Sequence, residues 1–82
     1  MRFHYTDHCR IRMVERGVAE SVVRESLESP DELWQGEAGE VIALRRYGSR
    51  EVRVVFRELG TDELLVITVM RRKVRRDEQD PA

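Results

Sequence analysis

The stretch Thr6-Asp7-His8-Cys9-Arg10-Ile11-Arg12-Met13-Val14-Glu15-Arg16-Gly17-Val18 is a helix written with both of its ends. Thr6 is an N-cap residue, because its hydroxyl can accept a bond from a first-turn N–H. Asp7 places a negative charge in the first turn, where the helix dipole favours one. Gly17 can take the left-handed conformation that closes many helices. Between these ends, Cys9, Met13 and Val14 are read as facing the core, with Ile11 nearer its edge. His8, Arg12 and Arg16 are spaced i, i+4, i+8 and form one row along the helix.

Working outward, Phe3 and Tyr5 lie two apart and are either a brief strand or an apolar lead-in. After the glycine, Val18-Ala19-Glu20-Ser21 opens a second helix that runs to about Ser29. Its apolar stripe is Val18, Val22, Val23, Ser26 and Leu27. Pro30 stops it, since proline cannot continue the hydrogen-bond ladder. The period then changes to two. Leu33-Trp34-Gln35 is a short strand and Gly36-Glu37-Ala38-Gly39 a turn. Glu40–Tyr47 alternates, with Ile42 and Leu44 on one face and Val41, Ala43, Arg45 and Tyr47 on the other. Gly48-Ser49 signals a tight hairpin. Glu51–Glu58 alternates again, Val52, Val54 and Phe56 opposing Arg53, Val55 and Arg57. Leu64–Met70 is the most apolar strand, and its two hydrophobic faces predict a central position. The expected fold is α+β: two N-terminal helices packed on a three- to four-stranded antiparallel sheet, the helix pair covering one face. Residues 1–76 form a single domain. Residues 77–82 form an acidic, proline-ended tail with the composition of a disordered segment.

Charge is unevenly placed along the 82 residues. Residues 1–44 carry a net charge of −4, residues 45–76 a net +6, and the tail −3. Fourteen of the fifteen basic residues are arginine, the better phosphate fork, although a GC-rich genome produces the same bias. A basic half in a near-neutral chain suits an anion-binding face. No run of about 18 apolar residues offers a membrane span, and no apolar leader stands at the N-terminus. With one cysteine, Cys9, there is no internal disulfide, and a reducing cytoplasm is the expected compartment.

The run His8-x-x-x-Arg12-Met13-x-x-Arg16-Gly17-Val18 is followed by Val22…Leu27-x-x-Pro30, then Arg46-Tyr47-Gly48 and the pair Val54-Val55. This pattern resembles domain-of-unknown-function family 4258 over about residues 3–71. The element order is also similar to the BrnT toxins and, more distantly, to the RelE/ParE toxin superfamily. The chain departs from the BrnT pattern in two places: proline precedes acid in Pro30-Asp31, and Val54-Val55-Phe56 lacks the tyrosine. The resemblance implies a RelE-like fold, and by extension a toxin-type RNA-binding domain acting as a metal-independent endoribonuclease, with an antitoxin protein as partner. The alternative is a non-catalytic nucleic-acid- or protein-binding module of the same fold.

Cutting RNA without a metal requires a group to take the 2′-hydroxyl proton, charge stabilisation at phosphorus, and a proton for the leaving oxygen. His8, Arg12 and Tyr47 are the catalytic candidates. His8 is either the acid or base or a structural helix-start histidine. Arg12 and Arg16 either bind phosphate or pair with Glu15, Glu20 or a strand carboxylate. Arg45, Tyr47, Arg53 and Arg57 share a sheet face suited to RNA by phosphate contact and stacking, or they form a solvated face paired with Glu51 or Glu58. The run Arg71-Arg72-Lys73-x-Arg75-Arg76 grips nucleic acid, docks an acidic segment, or keeps a strand end soluble. Trp34 is a lid over the core edge or a stacking platform. His4 and His8 with Asp7 lack a third ligand at metal spacing, so no metal and no cofactor are expected. A homodimer through an exposed strand edge is a further possibility.

Overall fold

In the computed structural model, which describes residues 1–74, the capped helix forms over Asp7–Arg16 (α1), behind a strand at Arg2–Tyr5 (β1). The Thr6 Oγ1 accepts from the Cys9 N–H at 3.0 Å and donates to the Ile67 carbonyl at 2.8 Å. One hydroxyl thus closes the helix start and ties it to the last strand. At the other end Gly17 has φ 65°, and the N–H groups of Gly17 and Val18 donate to the carbonyls of Val14 and Met13. This is the Schellman closure, and its apolar partners Met13 and Val18 both join the core.

A side chain at position 17 would be strained in the left-handed region, and its Cβ would stand 3.3 Å from the Arg71 guanidinium. Gly17→Ala is therefore expected to lower stability by about 1–2 kcal/mol. The check is a lower urea midpoint with an unchanged slope. An unchanged midpoint would show that the junction tolerates another backbone conformation.

The second helix spans Glu20–Glu28 (α2), two residues later than the stripe starting at Val18 implies. Val18 is taken up by the Schellman closure, and Ala19 stands extended as the N-cap residue. The sheet comprises β1, Glu32–Gln35 (β2), Val41–Tyr47 (β3), Arg50–Gly60 (β4) and Glu63–Lys73 (β5), in the order β1-β5-β4-β3-β2. Four neighbours in chain order, β2 to β5, pair antiparallel. The expectation of a three- to four-stranded antiparallel sheet is corrected by β1, which makes the sheet five-stranded and mixed. Phe3 lies opposite Leu64 and Tyr5 opposite Val66 in a parallel pair. Parallel pairing needs a long crossover, and the whole chain between β1 and β5 supplies it. A four-residue strand carries too little periodicity to announce such a partner. The strand β5 is interior, as its two apolar faces imply, but β4 holds the middle of the sheet.

The helices cover one face: α1 packs on β5, and α2 on β4 and β3. Cys9, Val18 and Val23 from the helix layer meet Val52, Val54, Val66 and Val69 from the sheet. A second cluster of Ala43, Phe56 and Leu64 continues the core. Val14 does not face it and is 84% exposed. Cys9 and Met13 sit one turn apart and set the buried stripe, while Val14 is rotated about 100° away from Met13. No helix among the described residues is long and apolar enough to cross a membrane. Arg75, Arg76 and the tail at 77–82 lie outside the described residues.

Candidate nucleic-acid interface

The hairpin at Gly48-Ser49 decides which arginines can act together. Gly48 has φ 63° at the first of two turn positions, and Tyr47 lies opposite Arg50. Arg45 is then opposite Val52, and Leu44 opposite Arg53. Residues directly opposite share a face. Arg45 and Tyr47 therefore lie on the helix-covered face, and Arg53 and Arg57 on the other. The expectation of one face shared by Arg45, Tyr47, Arg53 and Arg57 is corrected by this register. A two-residue turn pairs odd positions of β3 with even positions of β4.

On the covered face the arginines close helix ends. Arg71 Nη1 donates to the carbonyls of Arg16 and Gly17 at 3.2 and 3.4 Å, at the C-terminus of α1. Arg45 Nη1 donates to the Ser29 carbonyl at 2.5 Å, at the C-terminus of α2, and its guanidinium stands 5.4 Å from the Tyr47 ring centre. Both positions place a cation where the helix dipole is negative. The Tyr47 hydroxyl donates to Glu25 at 3.0 Å. Burial, then the Glu25 bond, raises this phenol above its ordinary value, which opposes a role as a base near neutral pH.

Of the helix row, Arg16 alone meets these groups, its carbonyl accepting from Arg71. His8 is exposed and has no hydrogen-bond or ion-pair partner among the described residues. Arg12 pairs with Glu15 at 3.1 Å on the same helix. Arg16 has an exposed side chain at the end of α1. Lys73 is exposed at the end of β5, opposite Arg50. His8 and Arg12 thus lie one turn apart on α1, which packs on β5, whereas Tyr47 lies on β3 and bonds Glu25 of α2.

The uncovered sheet face is organised differently. Trp34, on edge strand β2, is 38% exposed, and the Arg53 guanidinium lies 4.9 Å from the centre of its ring. The indole N–H donates to Glu32 at 3.2 Å, and Glu32 also pairs with Arg46. Arg46 is further anchored by its backbone N–H, which donates to Asp31 at 2.6 Å. Beside Arg53 lies Glu51, only 4% exposed. Its Oε1 accepts from Arg53 Nε at 3.1 Å and from Arg72 Nε at 2.6 Å. Burial pulls the Glu51 carboxyl upward, but the Arg72 hydrogen bond and the charges of Arg53 and Arg72 outweigh it and hold it below its ordinary value. The result is an arginine-rich surface around one indole, with Arg53 and Arg72 tied to Glu51 and Arg46 to Glu32.

A depression of about 190 Å³ is lined by Arg16 and Arg71 from the helix-covered side and by Glu51, Arg53, Met70 and Arg72 from the uncovered face. Four of the expected RNA-binding arginines meet there, contributed by α1, β4 and β5. Sequence reasoning named Glu51 only as a salt-bridge partner and missed its burial. A signal was present: Glu51 is the one acid among five arginines in residues 45–57. Arg46 and its anchors Asp31 and Glu32 were missed as well.

These features define an α+β domain with a helix pair on one face of a mixed sheet and an arginine-rich, uncovered opposite face. The chain belongs to the family described as Domain of unknown function (DUF4258), which it matches over residues 5–71. That span holds both helices, strands β2 to β4 and most of β5. Neither the curated proteins nor the solved structures compared with the chain give a match.

Proposed function

We propose that the uncovered sheet face binds single-stranded RNA without cutting it. The observation that carries this reading is the stacking of Arg53 on the half-exposed Trp34, with Arg46, Arg57 and Arg72 on the same face. Aromatic rings and guanidinium planes are the surfaces on which unpaired bases stack. The surrounding arginines supply phosphate contacts, and the buried Glu51 holds two of them in place before any ligand arrives. On this reading the chain is the RNA-binding domain that its likeness to BrnT- and RelE/ParE-type toxins implies, working by contact rather than by proton transfer. The placement of Tyr47 on β3, bonded to Glu25 of α2 and away from His8 and Arg12 on α1, favours binding over cleavage. Catalysis needs acid, base and charge stabiliser within reach of one phosphate.

Trp34 is the only tryptophan in the chain, so its fluorescence reports directly on the surface. Titration with an eight-nucleotide oligouridylate is expected to quench it, with an affinity that falls as salt rises. Trp34→Ala, followed by anisotropy of a labelled oligonucleotide, is expected to weaken binding about tenfold, since one stacked base is worth about 1–3 kcal/mol. His8→Ala is expected to bind unchanged. Absence of quenching, or binding indifferent to Trp34→Ala, would overturn the reading. Shortening of the oligonucleotide by wild-type protein, abolished by His8→Ala, would restore the ribonuclease.

A further inference from the structure

We infer that the arginine-lined depression beside this surface is a pocket for a terminal phosphate, so that the domain recognises the phosphorylated end of an RNA strand rather than its interior. The inference rests on the RNA-binding reading and adds which part of the strand is read. Its lining includes four arginines and one glutamate, a formal surplus of three positive charges, of which the Arg71 charge is partly answered by the carbonyls at the end of α1. An internal phosphodiester brings one negative charge. A phosphate monoester brings about 1.5 to 2 at neutral pH and three acceptor oxygens. The larger charge is the better match to the surplus.

The guanidinium groups are not equally committed. Arg71 is turned toward the carbonyls of Arg16 and Gly17, so it stands between the negative end of α1 and the depression. Arg53 reaches Glu51 through Nε and Nη2, and a guanidinium has five N–H donors. Arg16 has no carboxylate or carbonyl partner for its side chain among the described residues. It is the wall residue whose charge is least answered by the protein.

Arg53 also links the depression to the stacking surface, because the same guanidinium lies over Trp34. Trp34 on β2 and Arg72 on β5 stand three strands apart with Arg53 on β4 between them, so an RNA strand laid across the face can rest a base on Trp34 and bring a terminal phosphate to the depression. The depression is small, about 190 Å³, which suits a terminal phosphate.

The test compares three hexauridylates of identical sequence: one with a 5′-phosphate, one with a 3′-phosphate, and one with hydroxyls at both ends. Binding is read by Trp34 fluorescence at fixed ionic strength. One of the two phosphorylated strands is expected to bind about tenfold or more tighter than the hydroxyl strand, and which one identifies the end. In Arg16→Ala that preference is expected to disappear, the phosphorylated strand falling to within about twofold of the hydroxyl strand measured on the same variant. Arg16 is exposed and its side chain has no partner among the described residues, so this variant should fold, and circular dichroism would verify it. Equal affinity of all three strands, or a preference that survives Arg16→Ala, would overturn the pocket while leaving the RNA reading intact. Failure of every strand to bind would overturn both. A serine-phosphorylated peptide that binds as tightly as the phosphorylated RNA and is equally sensitive to Arg16→Ala would overturn the assignment to an RNA end.

Discussion

Leu44→Ala is expected to cost about 3 kcal/mol, within the range for truncating a buried leucine. The result is informative because of where Leu44 lies. It is 1% exposed, yet it projects from the sheet face that no helix covers. Its direct neighbours on that face are Glu32 and Arg53. Arg53 is held by Glu51 and stacked on Trp34, and Glu32 is held by Arg46 and the indole N–H. The long side chains, fixed at their charged ends, keep water from the leucine with their hydrocarbon stems. For a domain of this size the loss corresponds to a fall in Tm of about 12–24 °C. Met70→Ala, at a position 41% exposed on the same face, is the control and should change stability by about 0.5 kcal/mol or less. A cost below about 1 kcal/mol for Leu44→Ala would mean that the polar roof does not exclude water. The surface around Trp34 would then not be preorganised.

Glu51→Ala is expected to cost about 2 kcal/mol at pH 7. Removing one partner of a fully buried ion pair costs about 3–5 kcal/mol, but here the effect is smaller. The glutamate side chain is 5% exposed, whereas Arg53 and Arg72 are 31% and 50% exposed and can return to solvent. The same site sets an acid sensitivity with a definite sign. The folded carboxyl is held below its unfolded value, so its stabilisation is fully present above the unfolded value of 4.5. It is lost as pH falls through the depressed folded value, because protonation removes the negative charge on which both arginines converge. The stability difference between wild type and Glu51→Gln should therefore stay constant from about pH 8 to pH 5 and close at lower pH. Urea unfolding at a series of pH values measures it. A gap that does not close in acid would mean that the charge of Glu51 contributes nothing and that its packing alone matters.

The local elements were legible in the sequence. Thr6, Gly17 and Pro30 are residues whose backbone chemistry acts within a turn of themselves, and they placed α1 and the end of α2. Alternation over Glu40–Tyr47 and Glu51–Glu58 placed β3 and β4, and the turn at Gly48-Ser49 joined them. The separation of Arg45 from Arg53 was also latent there, because a two-residue turn dictates which positions share a face. The row of His8, Arg12 and Arg16 was visible as a spacing, but spacing along a helix does not say what the row meets. Arg12 met Glu15, and Arg16 met the wall of a depression built by β4 and β5.

The order and faces of the sheet were decided by tertiary structure. Placing β1 beside β5 joins residues separated by nearly the whole chain, and no local preference encodes that pairing. The same holds for the roles of the arginines, which are chemically alike in the sequence. Arg45 and Arg71 fall under the helix layer, where unsatisfied carbonyls at two helix ends draw them in. Arg53 and Arg72 fall on the opposite face, where the only buried carboxylate is Glu51 among the described residues. Sequence by itself therefore determined the helices, the strands of the hairpin and the basic character of the second half. Only the packed sheet, by giving each arginine a face and a nearest acceptor, decided which of them close helix ends and which lie on the uncovered face around Glu51 and Trp34.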